Sequence, residues 1–139
     1  MQHLRASLTL DNIGLYIGIY AELGYLTNND TATSLAEGAI VTALNTAQWN
    51  TPEGINKEGQ GEAGESNDVI GFKSIMIRYL QKSYYWIKDE DVKAAIVQYI
   101  NIQYYGLTHY AADSDLMPIR YARNWTGPAF NVSTQHAQL

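Results

Sequence analysis

The sequence predicts an all-α chain of antiparallel helix pairs separated by long loops. Three observations carry that expectation. Apolar residues recur at spacings of three and four in four segments, the first two segments are joined by the short turn "TNND", and a stretch of about twenty residues rich in glycine and glutamate divides the chain near its middle. With 139 residues, 46% of them hydrophobic and 17% charged, the composition is that of a chain that folds around a core.

The first element, "DNIGLYIGIYAELGYL", sets Ile13, Ile17, Tyr20, Ala21 and Gly24 on one face, with Asp11 or Asn12 available as N-cap. Gly14, Gly18 and Gly24 each cost about 1 kcal/mol against alanine inside a helix. Close approach of a neighbouring helix or of a ligand would offset that cost, and a neighbouring helix is the commoner cause. The second element, "TATSLAEGAIVTALNTA", is capped by Asp30 or Thr31 and is expected to turn Leu35, Ala39, Val41, Thr42 and Leu44 inward. Two helices joined by so short a turn run antiparallel.

"QWNTPEGINKEGQGEAGESND" holds Pro52 and four glycines and cannot be a packed helix. Loops this long inside compact domains tend to be functional, and a short hairpin is expected around Gly54 and Ile55. A third helix is predicted over 68–86, with Phe72, Ile75, Met76, Tyr79 and Leu80 on one face. "KDEDVKAAI" opens the fourth, whose inward stripe is Val92, Ile96, Tyr99, Ile100 and Gln103. Asp89, Glu90 and Asp91 have the look of a catalytic cluster, yet acids in a first helical turn interact favourably with the helix dipole, and capping accounts for all three. Beyond Gly106 the residues Pro118, Gly127 and Pro128 interrupt the periodicity. "STQHAQL" then opens like a capped helix and stops, the pattern expected of a fragment.

Several classes of function lack their signals. A net charge of -5 without any Lys/Arg cluster argues against nucleic acid as a partner. The absence of cysteine removes disulfide and thiolate chemistry. His3, His109 and His136 have no metal-binding spacing, and no phosphate-cradling or nucleophile-elbow motif occurs, so neither a metal nor another cofactor is expected. No stretch is long enough to span a membrane, and "MQHLRASLTLDN" does not read as a secretory signal. Asn29, Asn124 and Asn131 stand in sequons that would accept glycans in a secretory pathway. Tyrosine is abundant, 11 beside 3 Trp and 2 Phe. Its flat face and edge hydroxyl suit sugar rings, although each single tyrosine reads first as packing. Asp68 fits either an N-cap of the third helix or a group aimed into a cleft. Lys73, at i+5, is not placed for a simple i,i+4 ion pair with it.

The blocks "NIGLYIGIYAELGYLTNN", "ALNT", a "GIN-E" stretch, "NDVIGFKSIMIRYL" and "WTGP" before "STQHAQL" resemble, in this order, the C-terminal portion of the endo-α-1,6-mannanases of glycoside hydrolase family 76. The resemblance covers nearly the whole chain, and "FKSIMIRYL" is its most specific part. It implies a partial (α/α)6 barrel, a six-hairpin toroid whose loops at one end form a cleft for mannan. It also implies that residues 1–139 are a fragment of one catalytic domain, from an enzyme that hydrolyses the polysaccharide α-1,6-mannan with retention, outside the cell or at the cell wall. By motif position, Asp68, Phe72 and Lys73 would contact substrate, Trp125 would be a stacking platform, and Asn12 would offer hydrogen bonds near helix one. Phe72 equally suits the core, and Trp125 equally suits packing under the W-T-G-P turn.

One departure limits the chemistry. The family's catalytic carboxylates are an adjacent Asp-Asp pair in a D-D-x-x-W setting, and this chain contains no Asp-Asp dipeptide. Retaining hydrolysis needs one carboxylate as nucleophile and another as acid/base, so no catalytic residue is assigned and the chain alone is expected to be inactive. Four helices fall short of six hairpins, and an open arc with bare apolar edges is expected, on its own, to be poorly stable or to self-associate. Two alternatives stand beside hydrolysis. One is a mannan transglycosylase like the related fungal cell-wall proteins, and the other a non-catalytic helical module that binds sugar or protein.

Overall fold

The computed structural model of the chain describes residues 9–56, 67–106 and 108, with the backbone alone for 67–71. Its helices are α1 (Leu10–Thr27), α2 (Asp30–Asn45), α3 (Asn67–Ser83) and α4 (Glu90–Tyr105). The α1–α2 hairpin turns on two asparagines. Asn28 takes the left-handed conformation at φ 51°, and the Gly24 carbonyl accepts from the N–H groups of Asn28 and, at 3.0 Å, of Asn29. Asparagine tolerates that conformation better than most residues. The Asn29 side chain then accepts the Ala32 N–H at 3.1 Å, so Asn29, rather than Asp30 or Thr31, caps α2.

α1 begins before the expected caps, with Thr9 at the N-cap position, because Leu10 is already drawn into the core. Asn12 and Asp11 support this first turn from inside the helix: Asn12 Nδ2 donates to Thr9 Oγ1 at 2.9 Å, and the Thr9 hydroxyl donates to the Asp11 carboxylate.

Helix directions follow from named contacts. Gly14 lies against the Met76 backbone and Gly18 against the Tyr79 ring, so α1 and α3 run parallel. Gly24 lies against Thr33, as an antiparallel hairpin requires. At the far end the Glu37 carboxylate of α2 accepts the N–H groups of Lys88 and Asp89, both at 2.9 Å, while Lys88 Nζ reaches Asp30 at 2.7 Å. The start of α4 is therefore fastened to the first half of α2, and these two helices also run parallel. α3 packs on α4 to close the set. The result is an all-α pair of antiparallel hairpins laid side by side, with Ile17, Ile40, Met76, Leu80 and Ile96 meeting in the middle.

Close approach explains the α1 glycines. A Cβ on Gly14 would sit 3.0 Å from Met76 Cα, and one on Gly24 would sit 2.8 Å from the Thr33 nitrogen. Neighbouring helices, not a ligand, occupy the space that these glycines leave. Gly38 of α2 differs, since nothing lies within 4 Å of the position that a methyl group would take there. Gly38→Ala is expected to raise stability by about 0.5–1 kcal/mol, read as a higher urea midpoint with an unchanged slope.

The inward face of α2 is not the expected one. Ala32, Thr33, Ala36, Ile40 and Ala43 are buried, whereas Leu35 (43% exposed), Val41 (46% exposed) and Thr42 face out. α1 comes so close near Gly24 and Thr33 that the inward face of α2 is built mainly of small side chains, with Ile40 its one large member. Only Ala39 and Leu44 of the expected set pack partly against the core.

α3 stops at Ser83, short of the expected 86. Ser83 O accepts from both Trp86 N and Ile87 N, a tightened turn that swings Ile87 into the core. In α4 the expected stripe is present: Val92, Ile96, Tyr99 and Gln103 are buried and Ile100 packs against the cluster. Asp89 is the N-cap, its carboxylate accepting from Asp91 N and Val92 N, and Glu90 pairs with Lys93 at 2.7 Å. Capping thus occupies Asp89, as its position in the sequence indicates.

Candidate functional site

The parallel placement of α1 with α3 and of α2 with α4 brings two helix starts and two helix ends to one end of the molecule. The segment 46–56, which leaves α2 and leads to the glycine-rich stretch, lies at the same end. Its sequence "TPEGI" makes a tight turn in which Gly54, at φ 83°, takes a conformation that favours glycine. Gly54 N donates to Thr51 O at 2.9 Å, Thr51 N donates to Ile55 O at 2.8 Å, and Asn50 and Asn56 pair as an antiparallel bridge. This is the short hairpin expected around Gly54 and Ile55.

Two buried carboxamides fix that hairpin to the helices. Gln103 Oε1 accepts the Asn56 N–H at 2.7 Å, and its Nε2 donates to Gly54 O at 2.9 Å and Tyr99 O at 3.2 Å. Asn50 Nδ2 donates to the Ala43 and Thr46 carbonyls, both at 2.9 Å, and so satisfies acceptors that the end of α2 leaves open. Asn50 Oδ1 in turn accepts the Tyr99 hydroxyl at 2.6 Å. Tyr99 and Gln103 stand one turn apart on α4, so a single helical face clamps both sides of the turn. Trp49 and Ile55 fill the space beneath it.

The electrostatics of this end are mild. The Thr51 hydroxyl and the backbone N–H of Glu53 hold the Glu53 carboxyl below its usual value. Burial pushes the Tyr99 phenol well above its ordinary 10.0. An acid whose charged form is disfavoured in the folded state contributes nothing adverse below its unfolded pKa, then costs stability as pH rises above it. Unfolding free energy is therefore expected to fall by about 1.4 kcal/mol per pH unit above about pH 10. Urea titrations at several alkaline pH values check this, and Tyr99→Phe should flatten the slope by that amount. Among the described residues no cluster of His, Asp or Glu is arranged to hold a metal ion.

The predicted site residues fall as follows. Asp68 belongs to the first turn of α3, at the shared end, and its side chain lies outside the described residues, as does Trp125. Asn12 is exposed in the first turn of α1 and bonds Thr9. Phe72 packs against the core, the alternative that its position left open. Lys73 is only 3% exposed and is engaged with neighbouring groups. A charge so enclosed requires partners, because an isolated buried ammonium is far too costly. The fold thus brings Asn12, Asp68 and Lys73 to one end of the bundle. Sequence reasoning passed over Asn50 and Asn56 and gave Tyr99 and Gln103 only an inward direction. A carboxamide one turn from an inward tyrosine is the available signal for such a clamp.

By sequence, no protein family and no curated protein matches this chain. By structure, three solved chains do. The GH76A α-1,6-mannanase from Salegentibacter sp. HEL1_6 superposes with a TM-score of 0.81 at 19% identity, over 96% of this chain and 38% of that one. An inactive variant of that enzyme, with two consecutive aspartates changed to alanine and α-1,6-mannotetrose bound, gives 0.79 at 20% identity over 94% and 37%. A second inactive variant, with asparagine at those positions and α-1,6-mannotriose bound, gives 0.79 at 19% identity over 94% and 37%. The chain spans less than two-fifths of the length of the structures it matches. At such identities the likeness speaks for the fold: the two hairpins are a partial α/α toroid, built as in the α-1,6-mannanases of glycoside hydrolase family 76.

Proposed function

We propose that this chain is part of the catalytic domain of a glycoside hydrolase resembling endo-α-1,6-mannanase, and that its loop end forms one wall of a cleft for α-1,6-mannan. The observation that carries this reading is the superposition of nearly the whole chain on a mannanase solved with α-1,6-mannooligosaccharides bound. In that wall Asp68, Lys73 and Asn12 contact or support the sugar, Phe72 shapes the wall from the core side, and Trp125 offers a stacking face. The hairpin held by Gln103 and Asn50 sets where the acidic stretch 57–66 departs. The parent protein acts outside the cell or at the cell wall, where mannan is found.

Hydrolysis with retention needs two carboxylates flanking the glycosidic bond. The solved relative is inactive when two consecutive aspartates are replaced, and the present sequence has no such pair. The 139 residues therefore bind mannan and leave its bonds intact. Titration of the isotope-labelled chain with α-1,6-mannotriose should shift amide signals around 50–56 and the start of α3. Incubation with α-1,6-mannan should release no oligosaccharide. Absence of any shift at high ligand concentration would refute the wall, and bond cleavage would refute the division of labour. In a complete enzyme of this fold, alanine at the positions equivalent to Asp68 or Lys73 should lower mannan turnover.

The missing Asp-Asp pair also favours a second reading, a non-catalytic helical module. Mannan binding by a cooperatively melting monomer would support it over the fragment.

A further inference from the structure

Asn29, Asp30 and Thr31, in the turn between α1 and α2, form the sequon N-D-T, and every residue from Tyr25 to Thr31 is exposed. Neither the core nor the proposed cleft uses this turn. The two polar atoms of the Asn29 carboxamide have different occupations. Oδ1 accepts the Ala32 N–H at 3.1 Å as the cap of α2, whereas Nδ2 makes no hydrogen bond among the described residues. The backbone of Asn29 is extended, at φ -98° and ψ 102°, between the left-handed Asn28 and the first turn of α2.

We infer that Asn29 is the attachment site of an N-linked glycan, joined through Nδ2 while Oδ1 keeps its capping bond. The inference rests on the reading of the parent protein as one that acts outside the cell, because an N-x-T triplet meets its transferase in a secretory pathway. The sugar donor is an oligosaccharide carried on a polyprenyl diphosphate. Nδ2 attacks the anomeric carbon, the bond from that carbon to the diphosphate oxygen breaks, the diphosphate leaves with the electron pair, and one Nδ2 proton passes to a base. The product is a secondary amide with one N–H and the same carbonyl oxygen. The acceptor of the Ala32 N–H therefore survives the modification.

The surroundings of the turn suit a bulky, neutral substituent. Asp30, the middle residue of the sequon, is paired with Lys88 at 2.7 Å, which neutralises the charge nearest the attachment point. Tyr25 (60% exposed) and Leu26 (70% exposed) stand in the last turn of α1 beside Asn29. The first sugars present C–H faces to them, a contact that a tyrosine ring accepts well. The turn also lies at the end of the bundle where α1 and α3 stop and α2 and α4 begin. The sixteen residues of α2 set it about 24 Å from the loop end, so the glycan is rooted far from the proposed cleft wall.

Secretion of the full chain from a eukaryotic host tests this. Peptide mapping by mass spectrometry should find a glycan on the peptide that contains Asn29, and Thr31→Ala should remove it from that peptide. The same sequence made without glycosylation supplies the structural comparison. The Ala32 amide should keep its hydrogen-exchange protection in both forms, and the glycosylated chain should melt at no lower temperature. An unmodified Asn29 in the secreted chain, a glycan that persists there in Thr31→Ala, or an Ala32 amide that loses protection once the glycan is present overturns the inference. Mannan binding is measured on the unglycosylated chain, so its failure removes the cleft wall and leaves the modification site standing.

Discussion

Gly14→Leu is expected to cost at least about 3 kcal/mol and to leave little cooperative unfolding transition. The reason is the identity of the atom in the way. A β-carbon at residue 14 would already lie 3.0 Å from Met76 Cα and 3.3 Å from Met76 N, and these are backbone atoms of a packed helix. An isobutyl group cannot be accommodated by a rotamer change across the contact, so α1 and α3 must separate. Met76, Leu80 and Ile17, which fill the centre, then lose contact together. Gly14→Ala should cost less, since only a few tenths of an ångström are needed. Thermal melts followed by far-ultraviolet circular dichroism give the comparison. A leucine variant that melts like the parent would mean that the parallel α1–α3 contact is not as described.

The second large effect is expected at Gln103→Leu, with a loss of about 3 kcal/mol. Leucine preserves the volume and removes both polar partners, stranding the Asn56 N–H and the Gly54 carbonyl in the interior. Each stranded group costs roughly 1–3 kcal/mol. The damage should be local as well as global. Hydrogen exchange at Asn56 should accelerate far beyond what the change in overall stability explains, while the α1–α2 hairpin keeps its protection relative to the new global value. If the loop end binds mannan, affinity for α-1,6-mannotriose should fall along with the order of this turn. A variant of unchanged stability would show that the hydrogen bonds of Gln103 are worth no more than those it would make with water.

Much of the arrangement is legible before any coordinates. Four helices, the tight antiparallel first hairpin, the turn at Gly54 and Ile55, and the inward stripe of α4 all follow from spacing and turn chemistry, which act within a few residues. The glycines of α1 announce a close neighbour because nothing local compensates for three of them in one helix. The blocks around "FKSIMIRYL" point to the mannanases, and the superposition on a solved mannanase bears out that fold.

What local pattern cannot show is which of two apolar faces wins. α2 carries large residues on one side and alanines on another, and periodicity favours the large ones. Gly24 and Thr33 draw the helices so near that the alanine side is chosen, and Leu35 and Val41 turn outward. The burial of Lys73 and the clamp made by Asn50, Tyr99 and Gln103 have the same origin. Residues 50 and 99 are bonded across nearly fifty positions, a separation at which sequence neighbours carry no information about each other.

The sequence by itself determined the secondary elements, the hairpin turn and the absence of an adjacent aspartate pair, since each is settled by residues close together in the chain. Only the tertiary structure decided which faces are inside and which helices run parallel. It alone shows that the candidate sugar contacts near the starts of α1 and α3 share one end, because those outcomes depend on how near two backbones come, and that distance is set by all the side chains between them.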